Sequence, residues 1–241
     1  MSQAGFFSIN RNVARRIIAF GLESNSGGIA PNGDATGDEL TPRDSVQIWN
    51  NDSGGFETLD IGTNNLLDHF GLTDNTTHSW ELGLANICDA NGTIEYLVKF
   101  GQGGSVVSEW APGGTYYTKL ETRMDGAISE LGVSNVVFWL TFGINDRIAG
   151  ASTGTFKTGY QGIIANIKAS YPGAKFILLK NMADNGNDVY NTVIQEIADA
   201  DADVDTISAS ASVLGDGNHW TYTGQKENAT EFYNKMIANN W

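Results

Sequence analysis

The chain has a single cysteine, Cys88, among its 241 residues, so no intramolecular disulfide can form and stability must come from a packed core. Cys88 lies between Ile87 and Asp89 in a helix-like apolar pattern. No basic neighbour is there to activate a thiolate, and it reads as a buried structural thiol. Basic residues are also scarce: 14 Lys and Arg stand against 28 Asp and Glu, for a formal charge of -14. Apart from Arg11, Arg15 and Arg16 they are scattered, so most of the surface repels nucleic acid and anionic membranes, and neither is an expected partner. No window approaches the ~20 apolar residues of a membrane-spanning helix, and Met1 to Val13 lacks the apolar stretch of a signal peptide. Internal repeats and low-complexity linkers are absent as well. An acidic surface rich in Asn, Asp, Thr and Gly is common among extracellular or salt-adapted proteins, and an extracellular or virion-associated location is the expectation.

What is present is an ordinary globular composition, 41% hydrophobic and 17% charged, sufficient for one large α/β domain or two small ones. Ile17 to Phe20 is a short apolar run of the kind that makes a buried parallel strand, and Gly21 reads as its end. Ile29 to Arg43 reads as a polar loop over a site, and Ser45–Asn50 with Phe56–Ile61 as a hairpin around Asn51-Asp-Ser-Gly-Gly55. His78 to Cys88, Tyr117 to Leu131, Phe156 to Tyr171, Val189 to Ala200 and a segment from about Thr223 carry apolar residues at helical spacing. Ile94 to Phe100, Val136 to Phe142, Lys175 to Leu179 and Val204 to Ile207 read as strands between them. Strand–helix alternation from end to end predicts a three-layer α/β/α sandwich around a mainly parallel sheet, in one domain over residues 1–241 with an N-terminal extension, 1–15.

Several of these strands run directly into a polar turn, at the sheet edge where α/β proteins usually bind ligands. Ser24 follows the first, Gly101-Gln-Gly-Gly104 the second and Gly143-Ile-Asn-Asp146 the third. Histidine is the next scarcity, with three in the chain. His219 lies in a polar turn before the last helix, three residues after Asp216, a spacing that can bring a carboxylate to imidazole Nδ1. His78 reads as a helix start, and His69, beside Asp68, as packing. Each feature also has a reading without chemistry: Ser24 as a Ser/Asn/Gly turn, the glycines as a tight turn, Asn145-Asp146 as a helix start and His219–Asp216 as a surface pair. As a set, they suit acyl transfer: a serine nucleophile, an imidazole base, and donors for an oxyanion from Ser24 N–H, a glycine N–H and the Asn145 amide.

In that order the residues resemble the four blocks of the SGNH (GDSL-like) hydrolases, over residues 16 to 239. Glu23-Ser-Asn25, the insert with Val46-Gln-Ile-Trp-Asn50 and Gly103-Gly-Ser-Val-Val-Ser-Glu-Trp110 are similar to the sialate O-acetylesterase and acetylxylan-esterase branch. The resemblance implies an SGNH hydrolase fold with a flavodoxin-like sheet and a small hairpin insertion. It implies Ser24 as nucleophile, His219 as general base and acid, Asp216 as its orienter, and Gly104 (alternatively Gly103) with Asn145 completing the oxyanion hole. The implied activity is removal of O-acetyl groups from carbohydrate, with no metal or organic cofactor. Two departures are visible: one extra residue separates Gly21 from Ser24, with Glu23 before the serine, which leaves Ser26 as an alternative; and the third block reads Phe142-Gly-Ile-Asn-Asp146. Trp110, Tyr116, Tyr117 and Trp220 lie beside the blocks and are candidates for stacking on sugars, with a core role as the alternative for at least two. Other small acyl esters, or a non-catalytic carbohydrate-binding domain, are the rival readings.

Overall fold

The structure is a computed structural model that describes residues 15–65, 69–70, 76–181 and 188–241. Except for Arg15, the expected N-terminal extension lies outside these residues, as does Asp68. In chain order, β1 (Ile17–Leu22) leads into α1 (Ser24–Gly27) and the short β2 (Ala30–Pro31), followed by the hairpin β3 (Arg43–Asn50) and β4 (Gly55–Leu59). The two-residue strands β5 (His69–Phe70) and β6 (Thr77–His78) precede α2 (Trp80–Asn91) and β7 (Glu95–Gln102). Next come α3 (Thr115–Leu131), β8 (Val136–Leu140), α4 (Ile144–Ile148) and α5 (Thr153–Ser170). The chain closes with β9 (Lys175–Lys180), α6 (Asp188–Asp199), β10 (Val204–Ser208) and α7 (Tyr222–Ala238).

The main sheet has the order β10-β9-β8-β1-β7-β3-β4, with β5 pairing β7 beyond this path. All of its pairings are parallel except β3–β4. Taken alone, the five strands β7-β1-β8-β9-β10 have the flavodoxin-like order 2-1-3-4-5. Side-chain alternation along β1 and β8 sorts the core into two layers. Ile17, Ala19, Val136, Phe138 and Leu140 pack against α3, α5 and α6; Ile18, Phe20, Val137 and Trp139 pack against α2 and α7. On the second face Trp139 is sandwiched between Trp80 (centroids 3.6 Å, 13°) and Phe232 (4.4 Å, 5°), which ties α2, the sheet and α7 together. A strand covered on both faces has no polar side, which is why Val136–Leu140 reads as an unbroken apolar run.

Three expectations are corrected. Gly21 does not end the first strand, which continues through Leu22; a Cβ at Gly21 would lie 1.4 Å from the Phe100 carbonyl oxygen, so glycine is required by the close approach of β7. The expected hairpin is present as β3–β4 and extends the sheet edge, since β3 pairs in parallel with β7. The 29–43 stretch contains β2, paired with β6, and two short 3-10 turns. His78 belongs to β6 and is fully buried, its Nδ1 3.0 Å from Asn32 Oδ1; burial pushes its imidazole down to about 4. Cys88 is buried and free, and burial pushes its thiol up to about 12.

Candidate active site

β7 and β8 flank β1 in the sheet, so their carboxyl ends deliver Gly101–Gly104, Asn145 and Ser24 to one edge. At the end of β1 the backbone turns sharply. Leu22 adopts φ 102°, a left-handed conformation that is costly for a residue with a Cβ, and it is held there by burial and by Ser105 Oγ donating to its carbonyl (2.6 Å). Trp110 Nε1 in turn donates to Ser105 Oγ (3.0 Å). After extended Glu23, residues Ser24–Gly27 form a single turn closed by Gly27 N–H to Glu23 O and Gly28 N–H to Ser24 O. That turn leaves Ser24 as its first residue, beyond the sheet edge.

Ser24 Oγ lies 2.9 Å from His219 Nε2, and His219 Nδ1 lies 2.6 Å from Asp216 Oδ2. An ionised carboxylate only accepts, so Nδ1 carries the proton towards Asp216 and the Nε2 lone pair faces the serine hydroxyl. Asp216 Oδ1 also accepts from the Asn218 and His219 N–H groups (2.9 and 3.0 Å). Partial burial would raise the Asp216 carboxyl, but these bonds from the imidazole and the backbone outweigh it and hold it below its ordinary value. The loop itself is closed by the Val213–Trp220 bridge and by Leu214 N–H to His219 O (2.7 Å).

Asn25, immediately after the serine, ties the two segments together. Its side-chain amide donates to Asn218 O (3.0 Å) and accepts from Trp220 N–H (3.2 Å), while its carbonyl accepts from Ser79 Oγ (2.8 Å). The alternative serine, Ser26, is fully buried and donates to Glu23 O (2.7 Å). Glu23 is fully buried too. Burial pushes its carboxyl up to about 8 and nearby Asp146 adds to the rise, against hydrogen bonds from Thr141 and Asn25, so it is largely neutral at pH 7. Its Oε1 accepts from Thr141 Oγ1 (3.3 Å), and Oε2 has no partner.

On α4, the Asn145 side-chain NH2 is buried without an acceptor, while Asp146 takes the Val107 N–H at 3.1 Å. Burial pushes the Asp146 carboxyl up to about 6 despite that bond. Gly103 and Gly104 are exposed at the end of β7, Gly104 with φ 74°. Of the two readings left open for the aromatic candidates, the core takes three: Trp110, Tyr117 and Trp220 are 0%, 2% and 0% exposed, with Trp220 Nε1 donating to Ser210 O. Only Tyr116 is partly exposed, its ring 5.4 Å from that of Trp110. Sequence reading missed the supporting roles of Asn25, Ser79 and Ser105. Asn25, adjacent to the serine within the first block, was the one with a signal.

No protein-family model and no curated protein sequence matches the chain. The fold, however, recurs among solved structures. A protein from Arabidopsis thaliana superposes with a TM-score of 0.76 at 16% identity, covering 93% of this chain and 98% of its own. A family 3 carbohydrate esterase from Clostridium thermocellum gives 0.58 at 14% identity over 93% and 96%. An aryl esterase from M. smegmatis gives 0.57 at 13% identity over 93% and 99%. These similarities are of fold: this chain shares its three-layer sandwich with those esterases.

Proposed function

We propose that the protein is a serine esterase, acting as one domain, that removes O-acetyl groups from carbohydrate through an acyl-enzyme intermediate. The observation that carries this reading is the aligned chain Ser24 Oγ–His219 Nε2 (2.9 Å) and His219 Nδ1–Asp216 Oδ2 (2.6 Å) on a fold shared with carbohydrate esterases. Ser24 Oγ attacks the ester carbonyl as its proton passes to His219 Nε2. The carbonyl oxygen takes up negative charge, met by Ser24 N–H, Gly104 N–H and the Asn145 amide, whose buried NH2 has no acceptor of its own. The intermediate collapses, the sugar oxygen leaves with the proton from His219, and acetyl remains on Ser24. Water then attacks this ester, giving its proton to His219, and acetate leaves as the proton returns to Ser24. Asp216 keeps the imidazole oriented and stabilises its protonated form. A preference for other small acyl esters is the second reading, favoured by the likeness to an aryl esterase.

The test is hydrolysis of p-nitrophenyl acetate and octanoate and of acetylated sugars by the wild type, Ser24→Ala and His219→Ala. The expected outcome is acetate preferred over octanoate, with losses of about 10²-fold or more in both variants. An active Ser24→Ala protein would mean another nucleophile, and an inactive wild type would remove the esterase reading.

A further inference from the structure

Eight lysines and arginines of this acidic protein are ion-paired among the described residues, and a cation without a carboxylate partner stands at the candidate active site. Arg16, Arg43, Lys99, Lys168 and Lys226 each meet a carboxylate at 3.0 Å or less. Arg147, on α4 two residues after Asn145, forms no ion pair among the described residues. Its one side-chain hydrogen bond among the described residues is long, Nη2 to Asn218 Oδ1 at 3.4 Å, and its Nε–H is buried without a partner. Asn218 immediately precedes His219, so this contact brings the guanidinium to the loop that carries the imidazole facing Ser24.

Five-residue α4 therefore carries two side chains with unpartnered buried donors, Asn145 and Arg147. An acetyl ester offers one strong acceptor to such donors, the carbonyl oxygen that becomes the oxyanion, and Asn145 suits it. A second acceptor must come from the alcohol part of the substrate. A guanidinium left unneutralised in a protein of charge -14 favours an anion there, and its planar fork matches a carboxylate. We propose that Arg147 binds a carboxylate on the sugar that carries the ester, so that the preferred substrates are O-acetylated acidic carbohydrates of the uronate type. This rests on the esterase reading for its catalytic consequence, while the binding role of Arg147 stands apart from it.

The experiment compares acetate release from acetylated polygalacturonate and from neutral acetylated xylan by the wild type, Arg147→Gln and Arg147→Lys, with p-nitrophenyl acetate as the common reference. The wild type should favour the acidic polymer. Arg147→Gln should reduce the acidic-to-neutral ratio of kcat/KM by about 10- to 100-fold, and Arg147→Lys, which keeps the charge without the fork, should restore part of it. A wild type that prefers the neutral polymer, or a ratio untouched in Arg147→Gln, overturns the proposal. If p-nitrophenyl acetate and both polymers go unhydrolysed, the esterase reading has failed, and calorimetric titration of trigalacturonate still decides on Arg147. Binding by the wild-type protein that weakens about tenfold or more in Arg147→Gln supports it; no binding, or equal binding, overturns it.

Discussion

The two segments that meet at Ser24 and His219 are held in place by different means. The end of β1 and the turn after it are buried: Leu22, Glu23, Asn25 and Ser26 are each 1% exposed or less, and the backbone there includes a left-handed leucine and a neutral carboxyl. The loop before α7 is at the surface. Asp216 and His219 keep 47% and 25% of their side chains accessible, and this loop keeps its shape through its own hydrogen bonds. Packing thus overdetermines the serine side, where strain and an unpaired carboxyl oxygen are tolerated, whereas the histidine side depends on a few polar contacts. Substitutions in the loop should therefore affect chemistry with little loss of stability, and substitutions beneath the serine should affect stability first.

The sharpest contrast is Asp216→Asn. It should lower kcat/KM for p-nitrophenyl acetate by about 10²- to 10⁴-fold, while the thermal midpoint moves little because the carboxylate is half exposed. A large loss of stability would break the comparison. Glu23→Gln tests the buried side through pH. The Glu23 carboxyl has its folded value raised from 4.5 to about 8, so its contribution is complete below 4.5 and is lost as pH rises towards 8, where the folded protein still holds a proton that the unfolded chain has released. At roughly 1.4 kcal/mol per pH unit, that window is worth a few kcal/mol. Denaturant titrations from pH 5 to 9 should show wild-type stability falling with pH relative to the variant; parallel curves would mean that Glu23 is ionised in the fold.

Asn25→Ala removes the clamp between the two regions, leaving the Asn218 carbonyl and the Trp220 N–H without their partner. It should cost about 1–3 kcal/mol and lower activity as well, since the histidine loop loses its tie to the serine turn. Chemical denaturation and kinetics on one preparation would show whether both fall together, and an unchanged kcat would mean the loop is held without Asn25. The smallest expected effect is that of Ser105→Ala, about 1–2 kcal/mol, through loss of the bond to the Leu22 carbonyl and of the acceptor for Trp110. A stability unchanged within error would show that burial alone holds Leu22 in its strained conformation.

Much of the architecture was legible because buried parallel strands leave a direct trace. Val136–Leu140 and Ile17–Phe20 are apolar without interruption, and α2 stops where Gly92 can adopt φ 63°. Gly21 was misread because a glycine that ends a strand and one that admits a neighbouring backbone look alike until β7 is placed beside it. Trp110, Tyr117 and Trp220 stayed open for a similar reason: an aromatic residue beside a polar block suits a sugar face and a core equally well, and here the core took all three. Nothing local distinguishes Arg147 from any other helix-end arginine, because what sets it apart is that no carboxylate among the described residues pairs with it.

By itself, the sequence determined the alternation of strands and helices, the dependence on a core without disulfides, the acidic surface, and the few residues able to serve acyl transfer. Those are properties of composition, of periodicity and of neighbours within a turn, and short-range chemistry suffices to establish them. Only the tertiary structure decided that Ser24 and His219, 195 positions apart, lie within a hydrogen bond, that Asn25 locks their two segments together, and that Arg147 reaches Asn218 with no carboxylate partner among the described residues. Such distances follow from the order in which the parallel strands lie side by side, and that order is set by the packing of both faces of the sheet at once.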